Sequence, residues 1–60
     1  MNNLKVGDNV QYVAGGYISQ KLGRVVDAVL TAGYNEYVVK WENEGTVDTV
    51  TYPSQYLRKV

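Results

Sequence analysis

No window of this 60-residue chain sets apolar side chains at helical spacing without β-branched residues crowding the same face. Valine, threonine, tyrosine and glycine dominate, which is the chemistry of strands and tight turns. Proline occurs once, and no low-complexity tract or internal repeat interrupts the pattern. The chain therefore reads as one all-β domain over residues 1–60, with helix limited to a single turn.

Turn signals divide it into five strand-like segments. Gly7-Asp8 is a turn, with an Asp8 side chain suited to bonding the turn backbone, and it opens a first strand over residues 9–13. Residues 14–20 break alternation and carry adjacent glycines, which predicts a loop. Residues 22–31 form a second strand long enough to require curvature, and Gly23 marks a bulge or bend at its start. Residues 32–35 turn the chain and 36–42 return it. Asn43-Glu44-Gly45 is a hairpin turn in which Gly45 takes positive φ. Residues 46–52 make the fourth strand, stopped by Pro53, which has no amide proton. Ser54-Gln55-Tyr56 fits one 3-10 turn near residues 53–56, and 57–60 close a five-stranded antiparallel barrel.

Period-two counting places Val10, Val25, Val39, Val47, Val50 and Leu57 inside, and sets Tyr37, Val39 and Trp41 on one face of the third strand. The second strand offers Leu22, Val26, Ala28 and Leu30 on the face opposite Val25 and Val29. Apolar residues on both faces exceed what one small barrel buries, so Leu22, Val26 and Leu30, or a face bearing Trp41, are the candidate interface.

Six basic residues balance six acidic ones, and neither sign forms a block. Duplex nucleic acid is bound chiefly by cationic neutralisation of phosphates, so a neutral domain is poorly suited to it. Cysteine and histidine are absent, which excludes disulfides, thiolate nucleophiles, imidazole bases and ordinary zinc sites. No metal or cofactor is expected. Residues 1–5 lack the apolar segment of a signal peptide, and no apolar run is long enough to span a bilayer, so the expectation is a soluble, cytoplasmic protein. A domain this small buries only about 60% of its unfolded surface. With disulfides and metals excluded, oligomerisation is the reinforcement left open.

Gly7-Asp8-Asn9-Val10 followed by Gly23-Arg24-Val25 resembles the SH3-like small β-barrels, including the KOW-type barrels of translation and transcription proteins. From Leu4 to Val60 the chain is most similar overall to the plasmid-borne type II dihydrofolate reductases. That resemblance rests on Gly7-Asp8-Asn9-Val10, Gly16-Tyr17, Tyr37-Val38-Val39 and Tyr52-Pro53 with Leu57. It implies an SH3-like five-stranded antiparallel barrel and permits assembly as a tetramer. The reductase site itself departs: Thr49-Val50-Thr51-Tyr52 stands where that family carries Val-Gln-Ile-Tyr, and its lysine positions fall on Tyr12 and Val13, so only Tyr52 matches. A photosystem I accessory subunit of similar size shares the same barrel, in a docking role.

Among the residues that carry chemistry, the acids Asp8, Asp27, Glu36, Glu42, Glu44 and Asp48 show no pairing that marks a general acid–base couple. The serines have no histidine to activate them. The aromatic set is more informative. Tyr12, Tyr17, Tyr34, Tyr52 and Tyr56 are the candidate aromatic surface, joined by Trp41; such side chains bury large areas while keeping a polar handle. The expectation is a non-enzymatic interaction module that self-associates or docks onto a larger protein. The alternative is a nucleic-acid-binding KOW- or Tudor-like barrel that sets Lys21 and Arg24 beside Tyr12 and Tyr17, and a reductase-like enzyme is third.

Overall fold

The computed structural model describes residues 4–31 and 33–60, with the side chains of Thr31 and Tyr34 outside what is described. Its strands are β1 (Asn9–Ala14), β2 (Tyr17–Ile18), β3 (Gly23–Thr31), β4 (Tyr34–Asn43), β5 (Thr46–Pro53) and β6 (Leu57–Lys59), with one 3-10 turn at Ser54–Tyr56. Pairing runs β2-β1-β3-β4-β5, and β6 also pairs with β1. Every pairing is antiparallel, and the result is an all-β curled half-barrel. Among the described residues no helix is long and apolar enough to cross a membrane.

The opening turn forms as the sequence predicts. Asp8 N–H donates to Lys5 C=O (3.0 Å) and Lys5 N–H donates to Asp8 Oδ2 (2.9 Å). Gly7 sits at φ 99°, a conformation that a side chain would strain. Gly7 N–H to Val25 C=O (2.8 Å) and Val25 N–H to Asp8 C=O (2.9 Å) sew the turn onto β3. Lys59 Nζ lies 3.8 Å from Asp8 Oδ2.

Two turns are tighter than expected. Residues 14–20 are not simply a loop: Ala14 pairs with Tyr17 and Val13 with Ile18. Gly15 and Gly16 take φ 53° and 88°, as a two-residue hairpin turn requires. The adjacent glycines thus make a hairpin where broken alternation reads as a loop. Thr31 pairs with Tyr34, so β4 begins two residues before the expected Glu36. The β4–β5 turn matches expectation, with Glu44 at φ 47° and Gly45 at 86°, and Thr46 Oγ1 donates to Asn43 C=O at 2.6 Å.

The core comprises Leu4, Val10, Val25, Tyr37, Val39 and Leu57, with Ala28, Trp41 and Tyr52 packed against it. Val10, Val25, Val39 and Leu57 lie inside as expected. Val47 and Val50 do not: they are 52% and 42% exposed. Their odd spacing puts them on opposite faces. Val47 pairs with Glu42 on the outer face, while Val50 pairs with Val39 on the inner face of a strand that, among the described residues, has no second strand neighbour. Leu4 and Tyr37 take the places assigned to them.

A β-bulge interrupts β3. Register passes from Val25 opposite Val39 to Asp27 opposite Val38, leaving Val26 as the extra residue. The bulge sits at Val26 rather than at Gly23, and it reverses the alternation beyond it. Ala28 returns to the core side opposite Tyr37, and Val29 moves outward opposite Glu36. The single face expected to carry Leu22, Val26, Ala28 and Leu30 therefore does not form. Ala28 packs on the core, and Leu30, in phase with it beyond the core's edge, is 71% exposed.

Past Val25, β3 pairs only with β4 among the described residues. On that open edge Ala28 N–H is taken up by Asp27 Oδ1 at 2.8 Å. At the other end of the strand Gly23 is buried, opposite Val10. A Cβ there would collide with Val39 Cγ1 and meet the Trp41 ring at 3.0 Å.

Val25→Ala and Val39→Ala should each cost about 1–3 kcal/mol through lost methyl contacts and a residual cavity. Gly23→Ala should cost about as much by overpacking. Val47→Ala, on the exposed outer face, should stay within about 0.5 kcal/mol. Thermal melts followed by circular dichroism check the ranking, since about 1 kcal/mol shifts the midpoint of a domain this size by roughly 4–8 °C.

Candidate functional site

Tyr12 is the centre of an aromatic cluster. It stands half-buried on β1 opposite Leu57. The Gly15-Gly16 hairpin folds Tyr17 back onto the same face, with ring centroids 6.5 Å apart. Tyr52, on the inner face of β5, approaches Tyr12 to 5.3 Å. Tyr56, delivered by the 3-10 turn that follows Pro53, stacks on it at 6.2 Å with planes 28° apart. Trp41 meets Tyr52 edge-on at 6.2 Å and 88°. Both the stacked and the edge-on arrangement suit the quadrupoles of aromatic rings.

One hydrogen bond fixes the cluster's orientation. Trp41 Nε1–H donates to the Tyr52 hydroxyl at 3.1 Å in a part-buried setting. It ties β4 to β5 through side chains as well as backbone, and sets the two rings relative to one another. Across from them, Ser19 is anchored to β1 by its own N–H to Tyr12 C=O (2.8 Å) and by Gln11 Nε2–H to Ser19 C=O (3.0 Å). Lys21 N–H then donates to Ser19 Oγ at 3.2 Å. The two walls enclose an open groove of about 300 Å³. Tyr12, Tyr17, Trp41 and Tyr52 line it, and Lys21, Glu42 and Asp48 stand at its polar rim.

Four of the five tyrosines expected on an aromatic surface thus converge, together with Trp41; the side chain of Tyr34 lies outside the described residues. The two alternative interface faces are placed differently. Trp41 belongs to the groove, whereas Leu22 borders a separate concavity with Arg24, Lys40 and Glu42. Lys21 and Arg24, paired in the nucleic-acid alternative, line these two different concavities. The groove also recruits Asp48 and Val50, absent from every expected site. Their spacing from Tyr52 on one strand face was the available signal, since residues 48, 50 and 52 share parity.

Of the acids, Asp8 closes the opening turn and Asp27 bonds its neighbour's amide. Among the described residues no three of His, Cys, Asp or Glu stand together as a metal-binding group. Comparison of the chain with protein-family models, curated proteins and solved structures finds no match.

Tyr52→Phe removes the acceptor of the Trp41 indole N–H and should cost about 0.5–1.5 kcal/mol. Tyr56→Phe, with its ring stacking retained, serves as the comparison. Urea unfolding monitored through Trp41, the only tryptophan, measures both.

Proposed function

We propose that this protein is a non-enzymatic interaction module of the SH3-like small-barrel kind, and that its contact surface is the aromatic groove between the β1–β2 hairpin and the β4–β5 hairpin. The observation that carries this reading is the convergence of Tyr12, Tyr17, Tyr52 and Trp41 on one open groove, with the Trp41 to Tyr52 hydrogen bond pre-setting its wall. Tyrosine and tryptophan contribute large contact areas at low entropic cost and dominate binding hot spots. Rings held before the ligand arrives reduce the ordering cost of binding.

The groove's shape and charge narrow the occupant. At about 300 Å³ it is at the small end of ligand sites, and it is open to solvent. That suits a short extended segment of another protein better than an enclosed small molecule. Ring faces attract cations, and Glu42 and Asp48 add negative charge at the rim. The preferred segment therefore carries a lysine or arginine flanked by apolar residues, with Lys21 free to meet a carboxylate or backbone carbonyl farther along.

Titration with extended peptides that differ only in one central lysine tests the reading through Trp41 emission. Binding should favour the cationic member, and Tyr17→Ala should weaken it about tenfold, which is about 1.4 kcal/mol. Tyr17 is 62% exposed, so its truncation leaves the circular dichroism spectrum unchanged. A groove indifferent to all peptides that takes up single-stranded oligonucleotides with steep salt dependence would transfer the assignment to the nucleic-acid alternative.

A further inference from the structure

Among the described residues β5 pairs only with β4, so the other edge of this 8-residue strand has no strand partner. Beside a two-residue turn the flanking pair, Asn43 and Thr46, exchanges both backbone bonds, and every second pair beyond it does the same. Trp41/Asp48, Val39/Val50 and Tyr37/Tyr52 are then the bonded pairs. Val47, Thr49 and Thr51 direct their N–H and C=O groups away from β4.

Open edges are ordinarily guarded by a bulge, a proline, a lysine or a charge that occupies the ladder. The open edge of β3 is guarded twice, by the Val26 bulge and by the Asp27 carboxylate on the Ala28 amide. β5 has no such guard within its outward-facing run. Its acid, Asp48, has its backbone turned to β4 and its side chain at the groove. Pro53 comes only after Thr51, the last outward amide.

We propose that β5 pairs antiparallel with β5 of a second copy of this chain, across a two-fold axis at Thr49. The inference rests on the strand edge and is independent of the groove's occupant. A two-fold axis relating antiparallel neighbours stands perpendicular to the sheet, so opposed residues must share a face. Centring on Asp48 would oppose two carboxylates, which repel. Centring on Val50 would bring Pro53, lacking an N–H, into the ladder opposite Val47. Centring on Thr49 opposes Thr49 to its copy and Val47 to Thr51 of the second copy. Every outward N–H and C=O of these residues then finds a partner, and Pro53 falls opposite Gly45 at the ladder's end. The opposed pairs are threonine with threonine and valine with threonine, all strand formers. This self-complementarity points to a second copy rather than a foreign strand, and zero net charge places no long-range repulsion between the two.

Sedimentation equilibrium from micromolar to millimolar concentration should show a rise from one chain mass to two. Thr49→Pro removes only a solvent-facing amide, so circular dichroism should be retained while the dimer dissociation constant rises about tenfold or more. Oxidised Thr49→Cys should crosslink to its copy, because residues opposed in a bonded pair lie about 5.5 Å apart at Cα. Val47→Cys, which faces Thr51, should not. The crosslinking comparison decides the matter even where Thr49→Pro fails to fold. A wild type that stays monomeric at millimolar concentration, a folded Thr49→Pro that still dimerises, or Val47→Cys crosslinking as readily as Thr49→Cys overturns the proposal. Tyr17→Ala should leave the mass unchanged, which separates this contact from peptide capture in the groove.

Discussion

The close approach of β3 to β4 at Gly23 is the constraint on which both the core and the groove depend. Val39 Cγ1 and the Trp41 ring occupy the space that a side chain at residue 23 would fill. Opposite Gly23 stands Val10, so the same glycine lets β1, β3 and β4 converge. Val10, Val25 and Val39 become fully buried at that convergence. Trp41, seated against the backbone there, is aimed across at Tyr52. A residue that contributes no side chain thus determines where the largest side chain lies.

What is unusual in the packing is how little of it there is. The molecule measures 36 × 25 × 15 Å, and its shortest dimension is little more than the ~10 Å between two packed sheets. The curled sheet must bury apolar surface against itself, and only the tightest part of the curl does so. The β3–β4 hairpin runs past that region, which leaves Val29 and Leu30 exposed. Around the curl's open side the sheet is lined by rings rather than closed by aliphatic side chains. Tyr12 is shared among three tyrosine contacts, so the groove wall is also the rim of the core.

Much of this was legible in the sequence, for identifiable reasons. Glycine and asparagine at 43–45 marked a hairpin turn, Pro53 marked the end of a strand, and Val10, Val25, Val39 and Leu57 stood in phase. The bulge at Val26 was not legible, because counting by twos has no way to register an inserted residue, and one insertion inverts everything after it. Val47 and Val50 were misplaced for a different reason: parity separates them, and burial on an edge strand depends on a neighbour that local pattern does not reveal. Leu4 lies in a segment with no strand pattern, and it is buried by tertiary contact alone. The aromatic groove was visible as a set of residue types. Its geometry came from a Gly-Gly hairpin read as a loop, which is what brings Tyr17 back beside Tyr12.

The carboxylate of Asp27, resting on the amide of the next residue, bears on how far association can proceed. Two unguarded edges on one subunit would let each copy add another, head to tail, without limit, as in a growing fibre. With the β3 edge stoppered, contact through β5 would consume the same edge on both molecules and leave β3 closed to a further copy. Assembly of that kind would not propagate through β3. One inserted residue and one carboxylate, neither adding much stability, would then close one route from a finite particle to an open-ended one.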